Sequence, residues 1–100
     1  MEPRIPIDRE KIEKFCAKWS VKEFYLFGSV LRDDFGPDSD VDVCVRFDPN
    51  APWDLMHIVE MIEELEGIFG RKVDLLEADA IRNPFRKKRI LQTRRLIYAA

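Results

Sequence analysis

The sequence predicts an α/β fold, in which a small mixed β-sheet of about four strands carries helices mainly on one face. Residues 40–47 alternate polar and apolar side chains, which is typical of a strand with one buried face. Residues 53–69 instead place apolar side chains at helical spacing, with glutamates between them. Because both patterns fall within 100 residues, we expect one domain that spans residues 1–100.

The first half of the chain predicts a helix, a strand and a short helix. Asp8 is a suitable N-cap for a helix over residues 8–18, because apolar side chains recur there at positions i, i+3, i+4 and i+7. Val21–Phe27 combines β-branched and aromatic residues, and its unbroken apolar run indicates a strand that is buried on both faces. Gly28 ends this strand, and residues 29–32 are then expected to form a short helix before a polar loop.

The second half adds two helices and two strands to the strand over residues 40–47. The helix over residues 53–69 is expected to end at Gly70, which is a suitable C-cap. Its buried face is predicted to consist of Leu55, Ile58, Val59, Ile62, Leu65 and Phe69. Residues 72–76 alternate in polarity and predict a third strand. An asparagine and a proline then open a helix over residues 83–92, and residues 95–98 add a final strand.

Composition and charge argue against a nucleic-acid-binding domain and against a membrane protein. The chain has 17 basic and 19 acidic residues, whereas a generic nucleic-acid-binding domain is usually strongly basic, so a nucleic-acid partner is disfavoured. No apolar run approaches the roughly 18 residues of a membrane span, and the N-terminus has no apolar signal core. We therefore expect a cytoplasmic protein without a membrane partner. Cys16 and Cys44 match no metal-binding spacing and are predicted to be buried, reduced thiols.

Asp40 and Asp42 are the first candidates for a functional site. Alternate residues of a strand share a face, so these two carboxylates are expected to lie close together. Two such carboxylates repel each other and raise each other's pKa unless a cation lies between them, and Mg²⁺ is the cation that best suits oxygen ligands of this kind. Asp74 is either a third carboxylate of the same site or a solvated aspartate of the third strand.

Gly28 and Ser29 predict a phosphate-binding turn where a strand passes into a helix. Backbone N–H groups at a helix N-terminus are unpaired and suit an anion such as phosphate. Glycine has no Cβ, so phosphate oxygens can approach the main chain, and the serine hydroxyl adds a donor. Arg32 follows one turn later, where it either neutralises a phosphate or pairs with Asp33 or Asp34.

The segment LFGSVLRDDFGPDSDVDVCV, residues 26–45, resembles the signature of the polymerase-β-like nucleotidyltransferases, and most closely that of the minimal nucleotidyltransferases (MNT-type). The likeness depends on a Gly-Ser pair that is followed, ten residues later, by Asp-x-Asp, with a strand before each half. It implies that Gly28 and Ser29 form the phosphate-binding turn. It also implies that Asp40 and Asp42 are paired metal ligands and that Asp74 is the third acidic position.

The resemblance and the site residues together imply a reaction, the transfer of AMP from ATP with two Mg²⁺ ions. Asp40 and Asp42 would bridge both ions, whereas Asp74 would bind only the ion on the nucleophile side and accept a proton. One ion would lower the pKa of an attacking hydroxyl, and the other would stabilise the pyrophosphate leaving group. The single histidine, His57, is expected to be a surface or partly packed residue rather than a catalytic base.

The acceptor of the nucleotide is expected on a partner protein, because the chain leaves no room for an acceptor-binding domain. The resemblance implies an antitoxin that transfers AMP to a tyrosine of a HEPN-type toxin. Two alternatives stay open: a non-catalytic module that neutralises its partner by contact, and a transferase with a small-molecule or RNA acceptor.

A basic C-terminal segment is either a solvated helix face or a docking surface for an acidic partner or a nucleotide. It comprises Arg82, Arg86, Lys87, Lys88, Arg89, Arg94 and Arg95.

Overall fold

The computed structural model describes residues 5–32 and 35–100. In chain order its elements are α1 (Arg9–Trp19), β1 (Val21–Phe27), a 3-10 helix (Gly28–Leu31), β2 (Val41–Phe47), α2 (Leu55–Phe69), β3 (Val73–Glu77), a second 3-10 helix (Ala78–Ala80), α3 (Pro84–Thr93) and β4 (Arg95–Ala99). The strands form one sheet in the order β3-β2-β1-β4. Strand β1 runs antiparallel to β2 and β4, whereas β2 and β3 are parallel, so the predicted mixed α/β sheet is confirmed.

The main core lies on one face of this sheet, where α1 and α2 pack. Strand β2 contributes Val41, Val43 and Val45 to this face, and all three side chains are fully buried, as their alternation predicts. Helix α1 adds the buried stripe that its helical spacing predicts, and Asp8 caps it by accepting a hydrogen bond from the Lys11 N–H. None of the helices in residues 5–32 and 35–100 combines the length and the apolar character that crossing a membrane requires.

The predicted buried face of α2 is wrong at two of its positions. Leu55 and Val59 are 76% and 40% exposed, whereas Met61, which the prediction omitted, is fully buried together with Leu65. At about 3.6 residues per turn, Val59 lies on the side of the helix opposite to the Met61–Leu65 row. The sheet therefore covers a narrower stripe of α2 than the apolar residues of its sequence suggest.

Helix α2 begins two residues later than predicted because Asp54 caps it. The Asp54 carboxylate accepts a hydrogen bond from the His57 N–H at 3.1 Å, and His57 Nδ1 accepts one from the Asp54 N–H at 3.2 Å. This reciprocal pair is a capping box, and the His57 ring also packs against Trp53. The histidine thus stabilises the first turn of the helix, which agrees with its predicted partly packed position.

Helix α3 covers part of the opposite face of the sheet, over a second and smaller apolar cluster. This cluster consists of Tyr25, Phe27, Cys44, Ala78 and Ile90. The apolar run at residues 24–27 is therefore buried on both faces, as predicted. Both cysteines are buried free thiols, also as predicted, and burial raises the pKa of Cys16 to about 12. Alternation along β2 and β3 places Asp42 and Asp74 on the same face as α3.

Candidate active site

The end of β1 and the start of β2 bring the two halves of the predicted motif together. Phe27 pairs with Asp42 in the antiparallel register, so Gly28 follows directly beside that aspartate. Gly28 has a φ of +73°, which side chains rarely adopt, and a Cβ there would overlap Oδ2 of Asp42 and lie 3.2 Å from its Cγ. Both the backbone and the packed carboxylate therefore require glycine at this position. The predicted phosphate turn therefore lies beside Asp42, one of the two residues of the predicted acidic pair.

Asp42 and Asp74 are register partners in the parallel strands β2 and β3. Neighbouring strands lie about 4.8 Å apart and register partners point to the same face, so the two carboxylates border one patch of the sheet. Asp40 precedes β2 by one residue, whereas the predicted strand began with it. Asp40 and Asp74 are exposed and Asp42 is half-buried, so the three residues form an aspartate cluster that is open to solvent on one side.

The electrostatics of Asp42 show that the other two carboxylates of the aspartate cluster act on it. Burial raises the pKa of Asp42 above its usual value of 3.8, and the negative charges of Asp74 and Asp40 raise it further. The positive charges of Arg32 and Arg86 lower this pKa, but their effect is smaller than that of burial and the two carboxylates. The fold thus concentrates negative charge that a bound cation would compensate.

The donor atoms of the aspartate cluster are carboxylate oxygens, which are the ligands that Mg²⁺ prefers in proteins. Within residues 5–32 and 35–100, no three histidine, cysteine, aspartate or glutamate side chains already stand around a common metal position. The chemistry of the donors therefore matches magnesium, although the carboxylates are not arranged around an ion beforehand.

Ser29 and Arg32 follow Gly28 in the turn that leaves β1. The predicted short helix is a 3-10 helix that begins one residue earlier, and it closes with a hydrogen bond from the Arg32 N–H to the Ser29 carbonyl at 2.9 Å. The Arg32 side chain is exposed, and its charge reaches Asp42. Asp33 and Asp34, which are the alternative partners predicted for Arg32, lie outside the described residues.

Arg86 joins this site from α3, although the sequence identifies it only as one of seven basic residues near the C-terminus. The Asn83 side chain caps α3 by accepting hydrogen bonds from two N–H groups of its first turn, one of them that of Arg86. Ile90 anchors the helix on the second apolar cluster. This packing brings the charge of Arg86 within reach of Asp42. The sequence carries no signal that separates Arg86 from its basic neighbours, because the packing of α3 on the sheet determines which basic side chain lies near Asp42.

A large cavity bordered by described residues lies at the other end of the sheet. It has a volume of about 920 Å³, and Lys22 and Phe47, at the start of β1 and the end of β2, are among the residues that line it. The aspartate cluster does not border this cavity. Convergent charge, rather than cavity size, therefore identifies the candidate active site.

Comparisons with known proteins agree on one family. The family model described as a nucleotidyltransferase domain matches residues 8–97. A protein of Methanocaldococcus jannaschii, named as a putative protein adenylyltransferase, is 44% identical over 73 residues, which is 73% of either chain.

Two solved structures share the fold. The first is a toxin–antitoxin complex with AMP-PNP, in which the matched chain is 19% identical at a TM-score of 0.75, with 94% of this chain and 75% of that chain covered. The second is a tri-AMPylated Shewanella oneidensis HEPN toxin in complex with an MNT antitoxin, 18% identical at a TM-score of 0.66, with coverages of 92% and 70%. At these identities the two structures show that the fold is shared.

Proposed function

Because the chain belongs to the nucleotidyltransferase-domain family, we propose that it moves AMP from ATP to a tyrosine of a HEPN-type toxin in the cytoplasm and acts as the antitoxin of that pair. As a member of this family, the chain is a nucleotide-transferring enzyme. The observation that carries the proposal is the close approach of Gly28 to Asp42, which places the predicted phosphate-binding turn against a carboxylate that would face a metal. The AMP-PNP complex and the AMPylated toxin of the two related structures support ATP as donor and a toxin as acceptor.

The nucleotide side of the site would consist of the turn after β1 and two arginines. Gly28 has no side chain that would keep the outer phosphates of ATP from the main chain, and the Ser29 hydroxyl supplies a further donor. Arg32 and Arg86 already act on the charge of Asp42, so a triphosphate bound beside that carboxylate would lie within their influence as well. Guanidinium groups favour phosphate because their donors match two of its oxygens at once.

The acidic side of the site would hold Mg²⁺ through Asp40, Asp42 and Asp74. When bound, Mg²⁺ supplies the Lewis acidity that lowers the pKa of an attacking hydroxyl and stabilises the pyrophosphate leaving group. Asp74 is exposed on β3, which is an edge strand, so an acceptor tyrosine can approach it from the open side of the sheet. From this position its carboxylate would accept the tyrosine proton.

Incubation with ATP labelled in its α-phosphate tests the proposed transfer. The chain, Mg²⁺ and a HEPN-type partner are combined, and we expect label on a tyrosine of the partner that is lost when EDTA removes the metal. ATP labelled in its γ-phosphate is the control and should leave no label, because AMP rather than phosphate is transferred. A tight complex without label would contradict transfer and support a binding module. Label on RNA or a small molecule would contradict the protein acceptor.

Replacing Arg86 with alanine is expected to raise the KM for ATP about tenfold with a smaller change in kcat, because a charged donor to the bound phosphates is lost. Lys88→Ala is the matched control, since it removes one exposed positive charge from the same helix and Lys88 is not among the charges that act on Asp42. Both constants are measured at saturating partner. Equal effects of the two substitutions would contradict a specific role of Arg86 at the site.

A further inference from the structure

The loop that leads into Asp40 is a compact β-turn over residues 36–39. The Ser39 N–H donates to the Gly36 carbonyl at 3.1 Å, which closes the turn, and Pro37 occupies the second position, where proline is favoured. The Ser39 hydroxyl oxygen also accepts a hydrogen bond from the Gly36 N–H at 3.0 Å. The turn therefore has a defined internal geometry immediately before the first residue of the aspartate cluster.

Arg71 holds this turn from a different part of the chain. Its Nη1 donates to the Gly36 carbonyl at 2.7 Å and lies 3.4 Å from the Ser39 carbonyl oxygen, and its guanidinium lies over the Phe35 ring at 4.4 Å from the ring centre. A partly buried guanidinium with two carbonyl acceptors and an aromatic face restrains a loop more strongly than a neutral hydrogen bond does.

Lys72, which follows Arg71, fixes Val41 on the other side of Asp40. The Val41 N–H donates to the Lys72 carbonyl at 2.9 Å. Consecutive residues of one segment thus fix Ser39 and Val41, the two residues that flank the aspartate. The same segment continues into β3, which carries Asp74.

We propose that Arg71 is a positioning residue, which sets Asp40 relative to Asp42 and Asp74 and thereby sets the affinity of the aspartate cluster for divalent cations. Asp40 and Arg71 border the same crevice of about 330 Å³, so the restraint acts beside the carboxylate. Where it concerns Mg²⁺, this inference rests on the proposed function. Removal of the Arg71 side chain leaves the hydrogen bond between Val41 and Lys72 in place, so β2 and β3 remain paired.

Hydrogen exchange of the metal-free protein tests the restraint without any activity. Arg71→Ala is expected to make the Gly36 and Ser39 amides exchange about tenfold faster, because the turn loses its external hydrogen bonds. Arg71→Lys should restore part of the protection, since lysine can reach one carbonyl but lacks the planar fork. The urea midpoint should stay close to that of the wild type. Unchanged exchange in Arg71→Ala would overturn the inference.

Binding of Mn²⁺ to the nucleotide-free protein, followed by the electron paramagnetic resonance of the free ion, tests the consequence. We expect about tenfold weaker binding by Arg71→Ala and wild-type binding by Arg89→Ala, which removes an exposed arginine from α3. Faster loop exchange with unchanged Mn²⁺ binding would also overturn the inference. If wild-type protein binds Mn²⁺ and Arg71→Ala weakens it, but no nucleotide transfer occurs in either, the proposed function fails while the positioning role stands.

Discussion

Replacing Asp42 with asparagine is expected to abolish AMP transfer and, at the same time, to stabilise the metal-free protein at neutral pH. Asparagine keeps the volume of the side chain but lacks the charge that a magnesium ligand supplies. Mutation of a residue that only hydrogen-bonds to a metal ligand lowers metal affinity or activity about 10- to 100-fold. Loss of the charge of a ligand itself should have a larger effect. The transfer assay with α-labelled ATP measures the first effect.

The stabilising effect follows from the raised pKa of Asp42. Burial and the two neighbouring carboxylates make the folded chain bind this proton more tightly than the unfolded chain, in which the pKa is near 3.8. The contribution of Asp42 to stability is therefore fully present below that value and is lost as pH rises through the raised pKa of the folded state. Asparagine removes the unfavourable charge, so urea unfolding in EDTA should give a higher free energy of unfolding at neutral pH.

Asp48→Asn is the matched control, because its pH dependence has the opposite sign. A hydrogen bond from the Asn50 N–H and an ion pair with Lys22 lower the pKa of Asp48, so its contribution is present above 3.8 and is lost as pH falls. This substitution should lower the free energy of unfolding at neutral pH and leave transfer intact. Wild-type transfer in Asp42→Asn, or stability changes of one sign in both variants, would refute the assignment of Asp42.

Replacing Gly28 with alanine is expected to reduce transfer at least about a hundredfold, because the methyl group must displace the Asp42 carboxylate. The positive φ adds a backbone strain of about 1–2 kcal/mol, which urea unfolding should detect as a loss of stability. The two effects are separable, because transfer is measured under conditions in which the variant is fully folded.

Gly67→Ala provides the control for this substitution. Gly67 lies within α2, and a Cβ there meets no atom within 4 Å. Alanine should therefore stabilise the helix by up to about 1 kcal/mol and leave transfer at the wild-type rate. If Gly28→Ala were folded and as active as Gly67→Ala, the turn after β1 would have no part in binding the nucleotide.

Most of the fold could be predicted because each element carries a local signal. The alternation of Val41, Val43 and Val45 marks β2, and the Asn83-Pro84 pair marks the start of α3. The resemblance to the nucleotidyltransferases is confirmed by the family model, which matches nearly the whole chain. The first turns of α2 are the exception, because Leu55 and Val59 are apolar yet exposed, and no periodicity shows where a sheet ceases to cover a helix.

Short-range spacing and strand alternation were enough to predict the α-helices and the strands. They also group Gly28, Ser29, Asp40 and Asp42 into one motif. Three further features depend on the folded chain: the register of Asp74 with Asp42, the effect of the Arg86 charge on Asp42, and the hydrogen bond from Arg71 to the turn before Asp40. These interactions join residues about 30 or more positions apart. They depend on sheet pairing and on helix docking, which no local pattern records.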